Sequence, residues 1–95
     1  MIYKLEINGA AEEEIFEAYN WYEQQSEGLG ERFIGELETL FKKITKHPQH
    51  YKIARSVFRQ AAIKSFPFVI YFEIVDKSIV VYSVFHTKRR PNKNF

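Results

Sequence analysis

Six residues in the C-terminal half combine positive charge with one imidazole: Arg59, Lys64, His86, Lys88, Arg89 and Arg90. Such a group can bind a phosphodiester backbone and, with suitable geometry, cleave RNA. Cleavage requires one group that takes the 2′-hydroxyl proton, another that protonates the leaving 5′-oxygen, and a cation that stabilises the phosphorane. His86 could transfer protons, and Arg59 or Arg89 could supply the cation. We therefore treat Arg59, Lys64, His86 and Arg89 as candidate catalytic residues.

Each of these residues also has a structural explanation that involves no chemistry. His86 stands at the end of a strand pattern, where it can cap or pack. Arg59 can pair with a glutamate of a helix, and the run Lys88-Arg89-Arg90 before Pro91 can be a solvated tail. The two interpretations differ in geometry, because chemistry requires the two basic stretches to meet at one rim of a sheet.

Composition and spacing exclude several other chemistries. The chain has no cysteine, so it offers no disulfide, thiolate nucleophile or cysteine-based zinc site. His47, His50 and His86 lack HExxH or any comparable metal-ligand spacing. The segment Gly28-Leu29-Gly30 lacks the further glycines and the lysine of a phosphate-binding loop. We predict neither a metal nor another cofactor.

The formal net charge of +2 hides a strong asymmetry between the two halves. Residues 1–50 contain ten acidic and five basic residues, whereas residues 51–95 contain two acidic and nine basic residues, so the halves carry −5 and +7. This asymmetry indicates a surface that contacts a polyanion or an acidic protein. A solvated acidic helix and a solvated basic sheet edge would produce it as well.

The sequence shows no pattern typical of export or membrane insertion. The N-terminus has no basic start followed by an apolar run, and no apolar segment reaches the roughly 20 residues of a membrane span. We therefore expect a cytoplasmic protein that does not contact membranes.

The strongest secondary-structure pattern is a β-hairpin between the two basic stretches. Phe68–Glu73 and Ile79–Phe85 are dense in aromatic and β-branched residues, which favours strands. The segment Val75-Asp76-Lys77-Ser78 between them is short enough for a tight turn. Pro67 cannot donate a hydrogen bond to a sheet, so it marks the start of the first strand.

Two helices are predicted upstream of this hairpin. Ala10–Gln25 keeps helical spacing after a cap at Asn8, and Phe16 and Trp21 widen its apolar stripe. The second helix, Leu29–Lys46, places five apolar residues on one face: Phe33, Leu37, Leu40, Phe41 and Ile44. The link between the helices is short and contains two glycines, so we expect an antiparallel helix hairpin.

The remaining strands complete the order β-α-α-β-β-β. Ile2–Ile7 alternates apolar and polar residues, which predicts a strand before the helices. Phe58–Ser65 alternates less regularly and predicts a strand after them, and Tyr51–Ala54 is a candidate for a short extra strand. We predict one α+β domain over residues 1–95, with a curved, mainly antiparallel sheet and the N-terminal helix hairpin packed on one face.

Most aromatic residues are expected in the core. Eight of them fall at helical or strand spacing: Trp21, Tyr22, Phe33, Phe41, Phe66, Phe68, Tyr71 and Phe72. Phe95 differs, because it follows Asn92-Lys93-Asn94, where no pattern assigns it to a core. It could stack on a base or dock on a partner, and the alternative is a disordered terminus. We group Phe95 with Lys88 and Arg90 as candidate contacts to a nucleic acid or protein target.

The order of motifs along nearly the whole chain resembles that of a known family. The motifs are Trp21-Tyr22, Gly28-Leu29-Gly30, Phe33, Pro48, Phe66-Pro67-Phe68, Tyr71, His86 and Arg89-Arg90-Pro91. In this order they resemble the RelE/ParE superfamily, the toxins of bacterial type II toxin–antitoxin systems. The helix hairpin, the Phe-Pro-Phe start of a strand and the final motif are most similar to the ParE-like, plasmid-stabilisation branch. The resemblance implies the same fold that the periodicity predicts.

The resemblance implies different activities for the two branches. RelE-like toxins are ribosome-dependent mRNA endonucleases (mRNA interferases) with basic residues on the sheet and often a C-terminal aromatic residue. ParE-like toxins instead bind and inhibit DNA gyrase. By position, Arg59 and Lys64 match the basic strand of RelE-like toxins, and His86 matches a catalytic histidine of some members. Phe95 lies in the region of the terminal aromatic residue, although no terminal tyrosine is present.

We therefore expect a toxin that inhibits DNA gyrase, and two alternatives stay open: an mRNA endonuclease and a basic binding module without toxicity. Whether the chain is an enzyme is also left open. The resemblance implies a cognate antitoxin as partner. We expect an acidic antitoxin that lays an amphipathic helix in a groove, with a strand on a sheet edge as a further contact, and neutralises the basic half of the toxin.

Overall fold

The computed structural model describes residues 2–88, which form two helices packed on one face of a five-stranded sheet. The elements are β1 Lys4–Ile7, α1 Gly9–Gln25, α2 Leu29–Lys46, a 3₁₀ turn at Pro48–His50, β2 Ile53–Arg55, β3 Phe58–Ala62, β4 Phe68–Val75 and β5 Ser78–His86. The predicted α+β architecture, with its N-terminal helix hairpin, is confirmed. Among residues 2–88, no helix is long and apolar enough to cross a bilayer.

The sheet has the strand order β1-β5-β4-β3-β2. Every neighbouring pair is antiparallel except β1 and β5, which run parallel from Lys4 opposite Ser78 to Ile7 opposite Val81. The candidate extra strand is present as β2, an exposed edge strand of three residues. The β4–β5 hairpin is longer than predicted, and its turn consists of Asp76 and Lys77. Asp76 has a φ of 56°, a left-handed conformation that aspartate tolerates better than most residues.

The helix α1 begins as predicted but buries a narrower face. The Asn8 side chain accepts a hydrogen bond from the Ala11 backbone N–H at 3.0 Å, which caps the helix. The buried residues of α1 are Ala11, Ala18 and Tyr22. The prediction that Phe16 and Trp21 widen this stripe is wrong, because their side chains are 66% and 41% exposed. Both lie beside the line of buried residues and keep contact with solvent.

The core lies between the helices and the inner face of β4 and β5. All five apolar residues predicted on one face of α2 are buried. Four rings, those of Tyr22, Phe33, Phe66 and Phe68, pack with centroids 4.9 to 6.2 Å apart. They join both helices to the Phe66-Pro67-Phe68 segment that leads into β4. Tyr71 is only half-buried, because the alternation along β4 places it on the face opposite Ile70 and Phe72.

Candidate functional site

The sheet brings together three of the sequence-predicted site residues: Lys64, His86 and Lys88. His86, the last residue of β5, lies opposite Phe68, the first residue of β4. The backbone N–H of Ile63, which precedes Lys64, donates to the Phe68 carbonyl oxygen at 3.0 Å. Lys64 and Lys88 are both exposed. We call this end of the sheet, defined by Lys64, His86 and Lys88, the basic end.

Arg59 lies away from the basic end. It pairs with Phe72, four residues along β4 from Phe68, and four residues of a strand span about 13 Å. Its Nη1 donates to the Tyr51 carbonyl oxygen at 2.7 Å, and the residue is half-buried. The Arg59 side chain therefore connects β3 to the segment before β2. Its partner is the Tyr51 carbonyl oxygen and not a helix glutamate, which the sequence analysis had considered. Its catalytic role stays a prediction.

The imidazole of His86 is held on two sides. Its ring packs edge-on against Phe68, with centroids 4.9 Å apart and planes at 78°. Its Nδ1 accepts a hydrogen bond from the Lys88 backbone N–H at 3.0 Å. In a neutral imidazole the other nitrogen then carries the proton, so Nε2 would be a donor in this arrangement. In this arrangement His86 is a hydrogen-bond donor, and it must first become an imidazolium and give up the Lys88 contact before it can transfer a proton.

The remaining predicted positions lie outside residues 2–88. Arg89, Arg90 and Phe95 belong to this group, and their roles stay predictions. Within the described part of the chain, no group of three His, Cys, Asp or Glu side chains could hold a metal ion. The rings of His47 and His50 stack with centroids 4.7 Å apart on the 3₁₀ turn, where both residues are exposed.

The face of the sheet opposite the helices carries four aromatic residues, of which the sequence analysis named only Tyr71, as a core residue and a family motif. Phe58 and Tyr82 pack edge-to-face at 5.4 Å, and Tyr71 and Phe85 at 6.5 Å. We call these four residues the aromatic patch; all are half-buried. The Tyr82 hydroxyl donates to Glu73 at 3.0 Å, and mainly this bond raises the Tyr82 pKa above its ordinary value of 10.0. Strict two-residue alternation would not have indicated this patch, because Tyr82 and Phe85 are three residues apart and the two residues between them are both buried.

Glu14 is a second feature that the sequence analysis missed. Its Oε1 accepts hydrogen bonds from the Val84 backbone N–H at 2.8 Å and from the Ser83 hydroxyl at 3.1 Å. This carboxylate therefore ties α1 to β5. Its position three residues after Ala11 and four before Ala18, on the buried face, is the signal that could have distinguished it from Glu12 and Glu13.

Two comparisons with known proteins found similarity over most of the chain. Residues 5–91 match the family model of the ParE toxin of the type II toxin–antitoxin system parDE. The chain belongs to the ParE toxin family. A solved structure, the chromosomal ParDE TA system from P. aeruginosa, contains a chain with a TM-score of 0.79 and 12% identity. The alignment covers 90% of this chain and 96% of that chain, and it shows a shared fold. No match was found among curated proteins.

Membership of the ParE family confirms the resemblance to the RelE/ParE superfamily. This ParE-family chain is a toxin domain of a type II toxin–antitoxin system, and its family implies an antitoxin as its partner. The site geometry adds that the basic end is an exposed surface with two lysines and a histidine. Arg59 and the aromatic patch lie elsewhere on the sheet.

Proposed function

We propose that this ParE-family toxin acts by binding and inhibiting DNA gyrase. The observation that carries the proposal is the family match over residues 5–91, because the ParE-like branch is the one whose resemblance implies gyrase as target. The toxin needs no bond-breaking chemistry for this function. It needs a surface that is complementary to the enzyme in shape and charge.

The geometry of the basic end supports binding over catalysis. Lys64 and Lys88 are exposed and can contact an acidic surface. Arg59 is about 13 Å from the His86 position along the sheet, and its guanidinium already donates to Tyr51. A transition state shared by Arg59 and His86 would need both groups within hydrogen-bond reach of one phosphate. Arg90 and Phe95 are proposed as further contacts to the target.

An mRNA endonuclease is the second candidate, and the aromatic patch favours it. Aromatic rings on a sheet face that no helix covers can bind single-stranded nucleic acid, because bases stack on such rings. In this alternative a protonated His86, which would have given up the Lys88 N–H, protonates the leaving 5′-oxygen, solvent takes the 2′-hydroxyl proton, and Lys64 or Arg89 stabilises the phosphorane. Arg59 would have to leave Tyr51 to take part.

One pair of measurements separates the candidates. The full chain is added to a gyrase supercoiling assay, and transcript 5′ ends are mapped in cells that express it without antitoxin. We expect blocked supercoiling and uncut transcripts. Codon-phased cuts with normal supercoiling would establish the endonuclease instead. Expression without any growth defect would contradict both toxin functions and favour a basic binding module.

Variants then locate the contact surface. We expect Lys88→Glu combined with Phe95→Ala to weaken gyrase inhibition about tenfold or more, since both changes remove proposed contacts. Lys42→Glu on α2, an exposed lysine away from the basic end, is the control. If transcripts are cut, Arg59→Ala and His86→Ala test the catalytic assignment, and unchanged cutting in both would show it to be wrong.

A further inference from the structure

The two edges of the sheet differ in what covers them. At one edge, β1 is followed directly by α1, and the Tyr3 backbone N–H just before β1 donates to the Thr45 carbonyl oxygen of α2 at 2.9 Å. At the other edge, β2 is the last strand in the order, and all three of its residues are exposed. Within residues 2–88, β2 therefore has a neighbouring strand on one side only.

The register of β2 directs the backbone groups of one residue to the open side. Ile53 lies opposite Arg59 of β3, and the Gln60 N–H donates to the Lys52 carbonyl oxygen at 3.1 Å. This bond joins two residues that flank the Ile53–Arg59 pair, so the pair is of the non-hydrogen-bonded kind. In such a pair the N–H and C=O groups point away from the partner strand. The N–H and C=O of Ile53 therefore point outward from the edge of the sheet.

The side chains of β2 restrict which strand can pair with this edge. The Ile53 side chain is 55% exposed, so an apolar partner side chain would remove it from water. Lys52, the preceding residue, is also exposed, and a lysine on an edge strand repels any strand that places a cation directly opposite. The edge therefore fits a strand that presents an apolar residue to Ile53 and a small, uncharged residue to Lys52.

The β2 strand itself meets these requirements. In an antiparallel pair of two copies with a two-fold axis at Ile53, each outward N–H of Ile53 meets the outward carbonyl oxygen of the other copy. The two Ile53 side chains then lie side by side on one face. The same register places Lys52 opposite Ala54, which is small and uncharged. No lysine lies directly opposite a lysine.

We propose that this toxin forms a homodimer in which the β2 strands of two copies pair antiparallel about a two-fold axis at Ile53. The two sheets then continue into each other. β4 and β3 separate β5 from β2, so the dimer leaves His86 and Lys88 of the basic end uncovered. The proposal depends neither on gyrase as the target nor on the antitoxin.

The dimer is weak and reversible, because the ladder is short. β2 has three residues, and its register shifts between Ile53 and Arg55. Such a pair buries less than the roughly 1,000 Å² typical of stable interfaces. We therefore expect a Kd on the order of 100 μM.

Analytical ultracentrifugation of the full chain tests the dimer over concentrations from about 10 μM to about 1 mM. Ile53→Lys brings two cations together at the axis and should raise the dimer Kd at least about tenfold. Phe16→Lys makes the same charge change at an apolar residue of α1 that is 66% exposed, and it should leave the Kd unchanged. A wild-type chain that stays monomeric throughout, or equal effects of the two variants, would overturn the proposal.

The dependence on salt is a second, independent test. In the proposed register each Lys52 lies diagonal to the Lys52 of the other copy, with about 7–8 Å between Cα atoms. Salt screens this repulsion, so the dimer Kd should fall at least about threefold between about 0.05 M and about 0.5 M salt. Lys52→Ala should lower the Kd at low salt and remove most of the salt dependence. Lys42→Ala, an equal charge change at an exposed residue of α2, should have a smaller effect, and equal effects would contradict the register.

Proline at position 53 tests the backbone bond itself. Because the Ile53 N–H points away from β3, Ile53→Pro should keep the fold, as shown by an unchanged NMR spectrum of β3 and β4, and should raise the dimer Kd at least about tenfold. Ile53→Val keeps the N–H and should still dimerise. Isotope-filtered NOEs in a mixture of labelled and unlabelled toxin should connect Ile53 of one copy to Ile53 of the other. Intermolecular NOEs from other residues alone would overturn the proposal. If the edge instead receives a strand of the antitoxin, the isolated toxin is monomeric and the proposal is also wrong.

Discussion

The Glu14 carboxylate supplies β5 with a hydrogen-bond acceptor of the kind that a neighbouring strand supplies elsewhere in the sheet. Its carboxylate accepts the Val84 N–H and the Ser83 hydroxyl, and Ser83 and Val84 are buried. We expect Glu14→Ala to lower the free energy of unfolding by about 1–3 kcal/mol, because it leaves a buried donor without an acceptor. Urea denaturation of the purified toxin measures this change.

Two further substitutions give this prediction its controls. Glu14→Gln should lose less stability, since the amide oxygen can still accept the Val84 N–H. Glu13→Ala removes an exposed carboxylate from the same helix and should change the free energy of unfolding by less than about 0.5 kcal/mol. A loss for Glu13→Ala as large as that for Glu14→Ala would mean that helix charge, and not the contact with β5, is responsible.

The contact between Tyr82 and Glu73 leads to a prediction about how stability depends on pH. Their hydrogen bond is the largest cause that raises the Tyr82 pKa above 10.0. Because the folded state holds this proton more tightly than the unfolded state, the contact stabilises the fold below pH 10, and this contribution disappears as the pH rises through the raised pKa. Glu73→Gln should therefore lower the Tyr82 pKa.

NMR titration of the tyrosine rings measures this shift one residue at a time. Tyr51 is the internal control, because burial raises its pKa without any contribution from Glu73. We expect the Tyr51 titration to be the same in the wild-type protein and in Glu73→Gln. If the Tyr82 pKa also stays the same, the hydrogen bond is not its main cause.

At the scale of secondary-structure elements, regularity decided how much the sequence could predict. The bounds of α2 match the prediction at both ends, because its apolar residues are evenly spaced and Gly28 and Pro48 delimit it. The buried face of α1 was overestimated, since two of its three buried residues are alanines and the large residues Phe16 and Trp21 lie at its flanks. Size alone does not reveal which side of a helix is buried.

The candidate site was less predictable than the fold, because it depends on strand register. Sequence motifs placed Arg59 and His86 near the ends of two strands, but β4 lies between those strands and sets their offset. The register also shifts between Tyr71 and Phe72. A shift of one residue moves every later side chain to the other face, and no local pattern in the sequence specified it.

The packing of the two helices depends on one glycine. A Cβ at Gly30 would lie 2.6 Å from the Tyr19 carbonyl oxygen and 2.6 Å from the Glu23 Cγ, and the Glu23 carboxylate also accepts the Gly28 N–H at 2.6 Å. We expect Gly30→Ala to lower the free energy of unfolding by about 1–3 kcal/mol, because the helices would have to separate. Urea unfolding measures the loss.

Gly35 provides the matched control on the same helix. A Cβ at Gly35 would have no atom within 4 Å, and alanine in a helix interior is more favourable than glycine by about 0.5–1 kcal/mol. Gly35→Ala should therefore stabilise the toxin. If both substitutions destabilise to the same extent, the close approach at Gly30 is not the cause.

At the scale of the whole molecule, the charge asymmetry of the sequence becomes two neighbouring surfaces. The basic end presents Lys64 and Lys88, and the neighbouring groove between α1 and β5 is lined by Glu14 and Glu17, while His86 belongs to both. A partner that crosses this boundary must change the sign of its charge along its length. Such a pattern fixes the direction in which a peptide binds, because the reversed peptide would place like charges together.

The basic end should then govern how fast the antitoxin associates. Lys64→Glu with Lys88→Glu reverses both exposed charges, and we expect the association rate constant to fall about tenfold at low ionic strength, because electrostatic attraction guides the encounter. The difference should shrink as salt is added, since the screening length is about 8 Å at physiological ionic strength. Stopped-flow fluorescence over a series of salt concentrations measures the rate. Lys42→Glu with Lys43→Glu changes the net charge equally on the exposed side of α2, so an equal slowing by both pairs would assign the effect to net charge and not to the basic end.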